Sequence, residues 1–298
     1  MKIQEIDIND KDYPERLKKI KNPPKKLYVL GNKKILKNKG IAIVGSRDCT
    51  NDGVKNARLF AANIARAGFT VISGMAKGID AAAHMGALDV EGKTIAVLGN
   101  GPKTIFPPEN KEIYHKILET GGAVISEYPE DTPPESEYFR QRNRIVSGLS
   151  LGVLIVEAEV RSGTSITARF AREQGKDVFC IPNSRENSKG IGTHIQIKKG
   201  AILVLEPKEI IEKYTGNEIK QISIQDLEEL NKVNLVDLSK IKDEYREIYK
   251  LLTEELSLNE LSLKTGIEVK NLYQKLFMME MEGLITSSQN KYRIVNMK

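Results

Sequence analysis

The chain has 298 residues, 40% apolar and 29% charged, enough for about two domains with buried cores. No apolar run approaches the ~20 residues that cross a bilayer, and the polar start MKIQEIDIND does not resemble a signal peptide, so we expect a cytoplasmic protein with no membrane partner. The net charge of +6 admits a polyanionic partner. Cys49 and Cys180 are too few for a disulfide framework, and His84, His115 and His194 stand too far apart in sequence for a metal motif.

Residues 1–40 carry twelve Lys/Arg against five Asp/Glu and read as an N-terminal helical lead-in. It comprises a helix over residues 13–20, then Pro23-Pro24 and a short strand, LYVL. From residue 41 onward, short apolar runs alternate with helical patterns. The runs are IAIV (41–44), FTVIS (69–73), TIAVL (94–98), GAVIS (122–126), GVLIVEA (152–158), DVFCI (177–181) and AILVL (201–205). They are β-branched, unalternating and bounded by glycine, as strands buried on both faces require. With helices such as 54–67 and 79–88 between them, they predict an α/β fold: an extended Rossmann-like, doubly wound parallel sheet over residues 41–214.

Residues 215–242 are polar and read as a linker. Over 243–298, a helix at 245–252 precedes a capping-box start at Ser257-Leu-Asn-Glu260 and a turn at Thr265-Gly266. A stripe of Leu272, Leu276 and Met279 follows, and then a hairpin around SSQN. Three helices and a hairpin predict a small C-terminal winged-helix domain. The Met278-Met279-Met281 run reads as core filling.

Arginine usage is uneven. The chain has 33 Lys and 13 Arg, yet residues 139–172 hold six Arg and no Lys. A guanidinium is a planar fork that grips phosphate bidentately and stacks on flat rings, whereas an ammonium is a hydrated point charge. Arginines beside Phe139 therefore point to a phosphate backbone with bases nearby.

In an open parallel sheet, ligands bind beyond the carboxyl ends of the strands. Four such ends carry small or charged residues: Gly45-Ser46-Arg47, Gly74 to Gly78 with Lys77, Gly99-Asn-Gly101-Pro, and Ser162-Gly163-Thr164-Ser165 after Arg161. Three of them run quickly into helices, whose free amides favour anions. Neither G-x-G-x-x-G after a strand nor G-x-x-x-x-G-K-[ST] occurs, so no nucleotide cofactor is expected. Asp80 and His84 lie four apart on one helix face, with Glu157 and Glu159 at a strand end, and read as structural groups rather than an acid–base pair.

The segments IAIVGSR (41–47), SGMAKGIDAAAH (73–84), FRQRNRIVSGLS (139–150), EAEVRSGTSITA (157–168) and SKGIGTHIQIKKGA (188–201) together resemble the DprA/Smf family, the DNA-processing proteins of natural transformation. The lead-in YPERLKKIKNPPKKLYVLGN (13–32) also fits, and the resemblance covers roughly residues 10–212. It implies a Rossmann domain that binds single-stranded DNA, forms a homodimer and loads the RecA recombinase, with no catalysis and no cofactor or metal. Carried over by position, it implies DNA contacts from Ser46, Arg47, Ser73, Lys77, Phe139, Arg140, Arg142, Asn143, Arg144, Ser162, Gly163 and Thr164. Phe139 would be the base-stacking platform. The chain departs from the family pattern at Ser136, where many members carry lysine, and Arg140 is the compensating cation.

Two other classes compete. A nucleotide phosphoribohydrolase of the lysine-decarboxylase-like type would place its P-G-G-x-G-T-x-x-E motif over residues 159–167, where this chain has Val160-Arg161 and, for the catalytic Glu, Thr167. A winged-helix transcription regulator would read duplex DNA. Residues 243–298, however, hold eight Lys/Arg and nine Asp/Glu, a poor balance for phosphate neutralisation.

Overall fold

A computed structural model describes residues 2–160, 162–217, 221–227, 242–252, 255–288 and 291–294. The chain divides into two compact units, residues 1–223 and 224–298. Among the described residues, no helix is long and apolar enough to cross a membrane. The predicted linker falls largely outside the described residues.

The first unit is built on a nine-stranded sheet. Its strands are β1 (Gln4–Asp7), β2 (Lys26–Gly31), β3 (Gly40–Val44), β4 (Thr70–Ser73), β5 (Thr94–Leu98), β6 (Ala123–Ser126), β7 (Gly152–Ile155), β8 (Asp177–Cys180) and β9 (Ile202–Leu203). The spatial order is β1-β2-β6-β5-β4-β3-β7-β8-β9. The seven predicted strands form the parallel block, β3 to β9, and all residues of β3 to β7 are buried.

The helices are α1 (Glu15–Lys18), α2 (Asn51–Arg66), α3 (Ile79–Leu88), α4 (Lys111–Glu119), α5 (Ser136–Leu149), α6 (Gly163–Glu173), α7 (Ile191–Lys198) and α8 (Pro207–Thr215). They cover both faces of the sheet. One layer packs Leu17, Ile145, Leu149 and Ala168 against Val97, Val153 and Ile155. On the other, Ala57, Phe60, Ile64, Ala83 and Ile210 meet Ile43, Val71 and Leu154. Alternate strand residues thus serve opposite layers, which is why the strand sequences are apolar without interruption.

The lead-in differs from expectation. The expected LYVL strand is present as part of β2, but an unexpected β1 pairs with it antiparallel and the expected helix shrinks to the one turn of α1; β2 pairs Tyr28 with Ser126 and Leu30 with Val124 of β6. β1 is a polar edge strand whose one buried residue is Ile6, so its period gave no signal.

The second unit contains α9 (Asp243–Leu251), β10 (Leu256–Ser257), α10 (Leu258–Thr265), α11 (Val269–Met281), β11 (Ile285–Ser288) and β12 (Lys291–Ile294). Its strands pair in the order β10-β12-β11, all antiparallel. Ser257 and Glu260 close the capping box that starts α10, and Gly266 ends that helix in the left-handed region. Leu261, Leu272, Leu276 and Met279 fill the core with Tyr245, Ile248 and Tyr249. The methionine run is only partly core. Met279 is buried, whereas Met278 and Met281 are exposed.

Candidate nucleic-acid interface

Chain order reverses between β3 and β7, so the switch-point crevice lies above the carboxyl ends of these two strands. A carboxyl group already fills it. Glu157 is buried and accepts from the Thr50 backbone N–H (2.9 Å), the Thr50 hydroxyl (2.5 Å) and the Asn187 amide (3.0 Å). Thr50 in turn caps α2 by accepting from the Gly53 N–H. A Cβ on Gly53 would stand 2.6 Å from the Glu157 carboxyl group, so glycine is what admits this group to the helix start. The α2 N-terminus, predicted to face an anion, is thus satisfied from within.

The loop between β4 and α3 is also occupied. The Asp80 carboxyl group accepts from the Gly74 N–H at 3.1 Å and the Ala76 N–H at 3.4 Å. Burial raises the Asp80 pKa, and the Arg142 guanidinium opposes that rise. Arg142 is itself only 4% exposed and donates to the carbonyls of Gly74 (2.5 Å) and Val97. Burial lowers its pKa to about 10, with Asp80 counteracting and Arg47 contributing to the fall. His84, on the same helix as Asp80, lies close to this pair in charge but does not bond to it. Thr94 Oγ1 donates to the Val71 carbonyl at 2.8 Å, so it accepts from His84 Nδ1 at 2.7 Å. That assigns the Nδ1–H tautomer and leaves a buried Nε2 with no hydrogen-bond partner among the described residues. Burial, with Arg142 adding, pushes the His84 pKa down to about 3.

The third helix start is open. α6 begins at Gly163 with Ser162 as N-cap, has no acidic residue in its first turn and receives no side-chain cap. Ser162 Oγ is shielded yet has no hydrogen-bond partner among the described residues. Gly163 is exposed, while Thr164 is buried. Arg161 lies outside the described residues.

Beside this opening stands an aromatic pair. Phe139, in the first turns of α5, packs so closely on Gly99 that a Cβ there would lie 2.6 Å from its ring. Phe106 stacks on Phe139 with ring centroids 5.4 Å apart and a 28° interplanar angle. The Arg47 guanidinium, exposed at the end of β3, lies 5.9 Å from the Phe139 centroid, within cation–π reach. One turn along α5, Asn143 donates to the Gly163 carbonyl at 3.3 Å, tying the aromatic platform to the α6 start.

The predicted site residues therefore separate. Arg47, Phe139, Arg140, Asn143, Ser162, Gly163 and Thr164 belong to this region of the rim. Arg140 is exposed, with Glu137 3.6 Å away. Lys77 is exposed but paired with Glu109. Four others are buried or held by partners within the protein. Ser73 is fully buried and donates to the Ile43 carbonyl at 2.6 Å, while the buried Ser46 hydroxyl donates to the Asp48 carbonyl at 2.9 Å. Arg142 sits beneath the strand ends. Arg144 turns toward the lead-in, where it pairs with Glu127 at 2.6 Å and donates to the Asn22 carbonyl. Sequence reading missed Phe106. Its signal is an exposed aromatic before Pro107 in the glycine-rich loop after β5.

The family model described as DNA recombination-mediator protein A matches residues 4–215. The chain belongs to that family. It is 47% identical over 207 residues to Protein Smf of Escherichia coli, covering 70% of this chain and 55% of the relative. It is 39% identical over 213 residues to the DNA processing protein DprA of Streptococcus pneumoniae, covering 72% and 75%. The X-ray structure of that Streptococcus protein superposes with a TM-score of 0.68 over the same shares. A Helicobacter pylori family structure, whose title describes a single-stranded DNA binding mode, gives 0.66 at 29% identity, covering 74% of this chain and 98% of that one. The chain spans about half the length of the first curated relatives that it matches. The match lies on the first unit, which carries the occupied crevice and the open α6 start.

Proposed function

We propose that the first unit binds single-stranded DNA along the carboxyl rim of the sheet and acts without catalysis as a recombination mediator. The observation that carries this reading is the stacked Phe106–Phe139 pair beneath Arg47, tied through Asn143 to an open helix start. A base stacks on the phenylalanine platform, and its phosphates lie on Arg47, Arg140 and the first amides of α6. Arg140 exchanges Glu137 for phosphate at little cost, because an exposed ion pair contributes only about 0–1 kcal/mol. Stacking requires unpaired bases, so single strands are preferred to duplex and sequence is tolerated.

The filled β3–β7 crevice supports the non-enzymatic reading over the phosphoribohydrolase one. Glu157 is spent on the α2 start, and Thr167 stands where that enzyme needs its carboxylate. Family membership supports a role in DNA processing during natural transformation, and the Helicobacter relative's single-stranded DNA binding supports the ligand. The further partners are RecA recombinase and a second copy. For the homodimer we propose the segment from Ile195 to Leu205, which includes the edge strand β9 and exposes Ile202, Leu203 and Leu205. The second unit is a winged-helix domain in this reading, supported by its helix order and hairpin, and its acidic balance makes it an accessory module rather than a duplex reader.

Titration of labelled oligo-dT tests the site. Arg47→Ala and Phe139→Ala each weaken binding while duplex affinity stays low in every protein. Parent-like binding by both variants, or turnover of a nucleoside monophosphate, overturns the reading.

A further inference from the structure

The lead-in carries twelve Lys/Arg against five Asp/Glu, and the rim site uses none of these cations. Some are matched: Lys26 pairs with Glu5 and Lys33 with Asp12, each at 2.6 Å. Arg16 and Lys19 are not, and the fold brings them to the end of the sheet opposite the rim. Arg16 donates to the carbonyls of Asn38 (2.7 Å), Lys37 (3.4 Å) and Leu149 (3.4 Å), which precede β3 and β7. Lys39 is the residue before β3, and Lys176 the residue before β8. The register Ile41–Gly152–Asp177 aligns these starts across three neighbouring strands, so β3 and β8 begin ~10 Å apart. Lys19 and Lys39 are exposed and Lys176 is half-buried. The Lys176 pKa is lowered, first by burial and then by repulsion from Arg16 and Lys19, so these charges share one field. Among the described residues none of the four cations has a carboxylate partner. Three acids lie within three residues of them in the chain: Glu15, Glu173 and Asp177. Glu173 pairs with Arg169 at 3.6 Å, and Asp177 pairs with Lys213 at 3.6 Å and accepts from the Tyr214 hydroxyl at 2.7 Å, which leaves Glu15.

We propose that this end of the sheet holds a second segment of DNA by its phosphates, paired or single-stranded alike. The spread of the cations selects a backbone as occupant. They stand on three separate segments of chain, and a DNA strand, with one phosphate every 3.4 Å along the duplex axis, carries about three phosphates over ~10 Å. Lysine is a point charge with no fixed fork, so nothing in this set is shaped for one small anion. None of the four side chains is aromatic, so bases have no platform among them and pairing is not read. Four cations without stacking give the weak, salt-sensitive affinity of non-specific binding, in keeping with a low affinity for duplex. β3 is five residues long, ~17 Å, so this surface and the rim are separate and both can be filled at once. The second site does not depend on the rim reading.

The test uses the full chain. Its lysines are acetylated at low salt with and without a short duplex, and the peptides are read by mass spectrometry. Duplex should shield Lys19 and Lys39 several-fold, and the shielding should persist when equimolar short oligo-dT is added first to fill the tighter rim site. Lys25 lies at the other end of the sheet, before the antiparallel β2, and serves as the control. Lys19→Gln and Lys39→Gln should each lower the slope of log duplex affinity against log salt by about 0.9, the value for one phosphate, while Lys25→Gln leaves it unchanged. All three lysines are exposed, so the melting temperature should hold. Equal losses in the three variants would reduce the effect to net charge and overturn the proposal. Unshielded Lys19 and Lys39 would do the same, as would shielding reproduced by inorganic phosphate alone, or by anionic lipid vesicles and not by DNA. Failure of oligo-dT at the rim leaves the duplex result intact, so the two readings fail separately.

Discussion

The side-chain amide of Asn143 donates to the backbone carbonyl of Gly163 at 3.3 Å, joining the second turn of α5 to the first residue of α6. Phe139 lies one turn earlier on the same helix. In the proposed function, a base on the platform and a phosphate on the α6 amides would share a frame set by one hydrogen bond and the packing of the two helices.

That frame gives the first prediction. Phe106→Ala and Phe139→Ala should each weaken oligo-dT binding by about 1–3 kcal/mol. The double variant should lose less than the sum, because the rings stack on each other and act as one platform. Fluorescence anisotropy over the four proteins measures the cycle, and strict additivity would show that the rings act separately.

Arg142 should behave as a support rather than a contact. Arg142→Ala leaves the Gly74 and Val97 carbonyls without their donor and removes the positive charge that opposes the buried Asp80 carboxyl group. The expected loss is about 3–5 kcal/mol of stability. Arg142→Lys keeps the charge but not the planar fork, and should recover only part of it. Denaturant melts decide the matter, and a stable Arg142→Ala protein with reduced DNA affinity would reverse the assignment.

Glu157→Ala should destabilise the first unit by about 1–3 kcal/mol, because the Thr50 and Asn187 donors lose a buried acceptor. Oligo-dT affinity measured well below the melting temperature should stay at the parent value. A selective loss of affinity would place Glu157 in the interface instead.

His84 sets an acid limit. Its pKa falls from the ordinary 6.5 to about 3 in the fold, first through burial and then through Arg142. Between those values the unfolded chain binds a proton that the folded chain does not. Its contribution to stability is therefore full above pH 6.5 and declines as pH drops toward 3, by at most about 1.4 kcal/mol per unit. His84→Gln has no such proton, so its stability should fall less steeply between pH 6.5 and 4. Equal slopes for parent and variant would identify another group.

The salt dependence of binding separates exposed cations from buried ones. Arg47→Ala should lower the slope of log affinity against log salt by about 0.7, the value for one phosphate of a single strand. Arg144→Ala should leave the slope unchanged, since its guanidinium is held by Glu127 and Asn22. Titrations at several salt concentrations read both.

By itself the sequence determined the parallel α/β unit, the capping box at Ser257 and the aromatic and glycine segments of the rim. Strands buried on both faces, helix caps and close glycine approaches each leave a local signature in residue type and spacing. Tertiary structure decided which charges point outward. Arg140, Arg142 and Arg144 fall at every second position over five residues of one helix, so Arg142 points about 160° away from Arg140, while Arg140 and Arg144 lie about 40° apart and are separated only by the partners they meet. One reaches solvent, one lies under the strand ends and one faces the lead-in. The edge strand β1, its antiparallel pairing with β2 and the Phe106–Phe139 stack also arise from contacts between segments distant in the chain, which no local period encodes. Glu157 shows the same limit most plainly. As an acidic residue at a strand end it read as a structural group without a partner, and only the approach of Thr50, more than a hundred residues earlier, makes it the acceptor that holds the N-cap of α2.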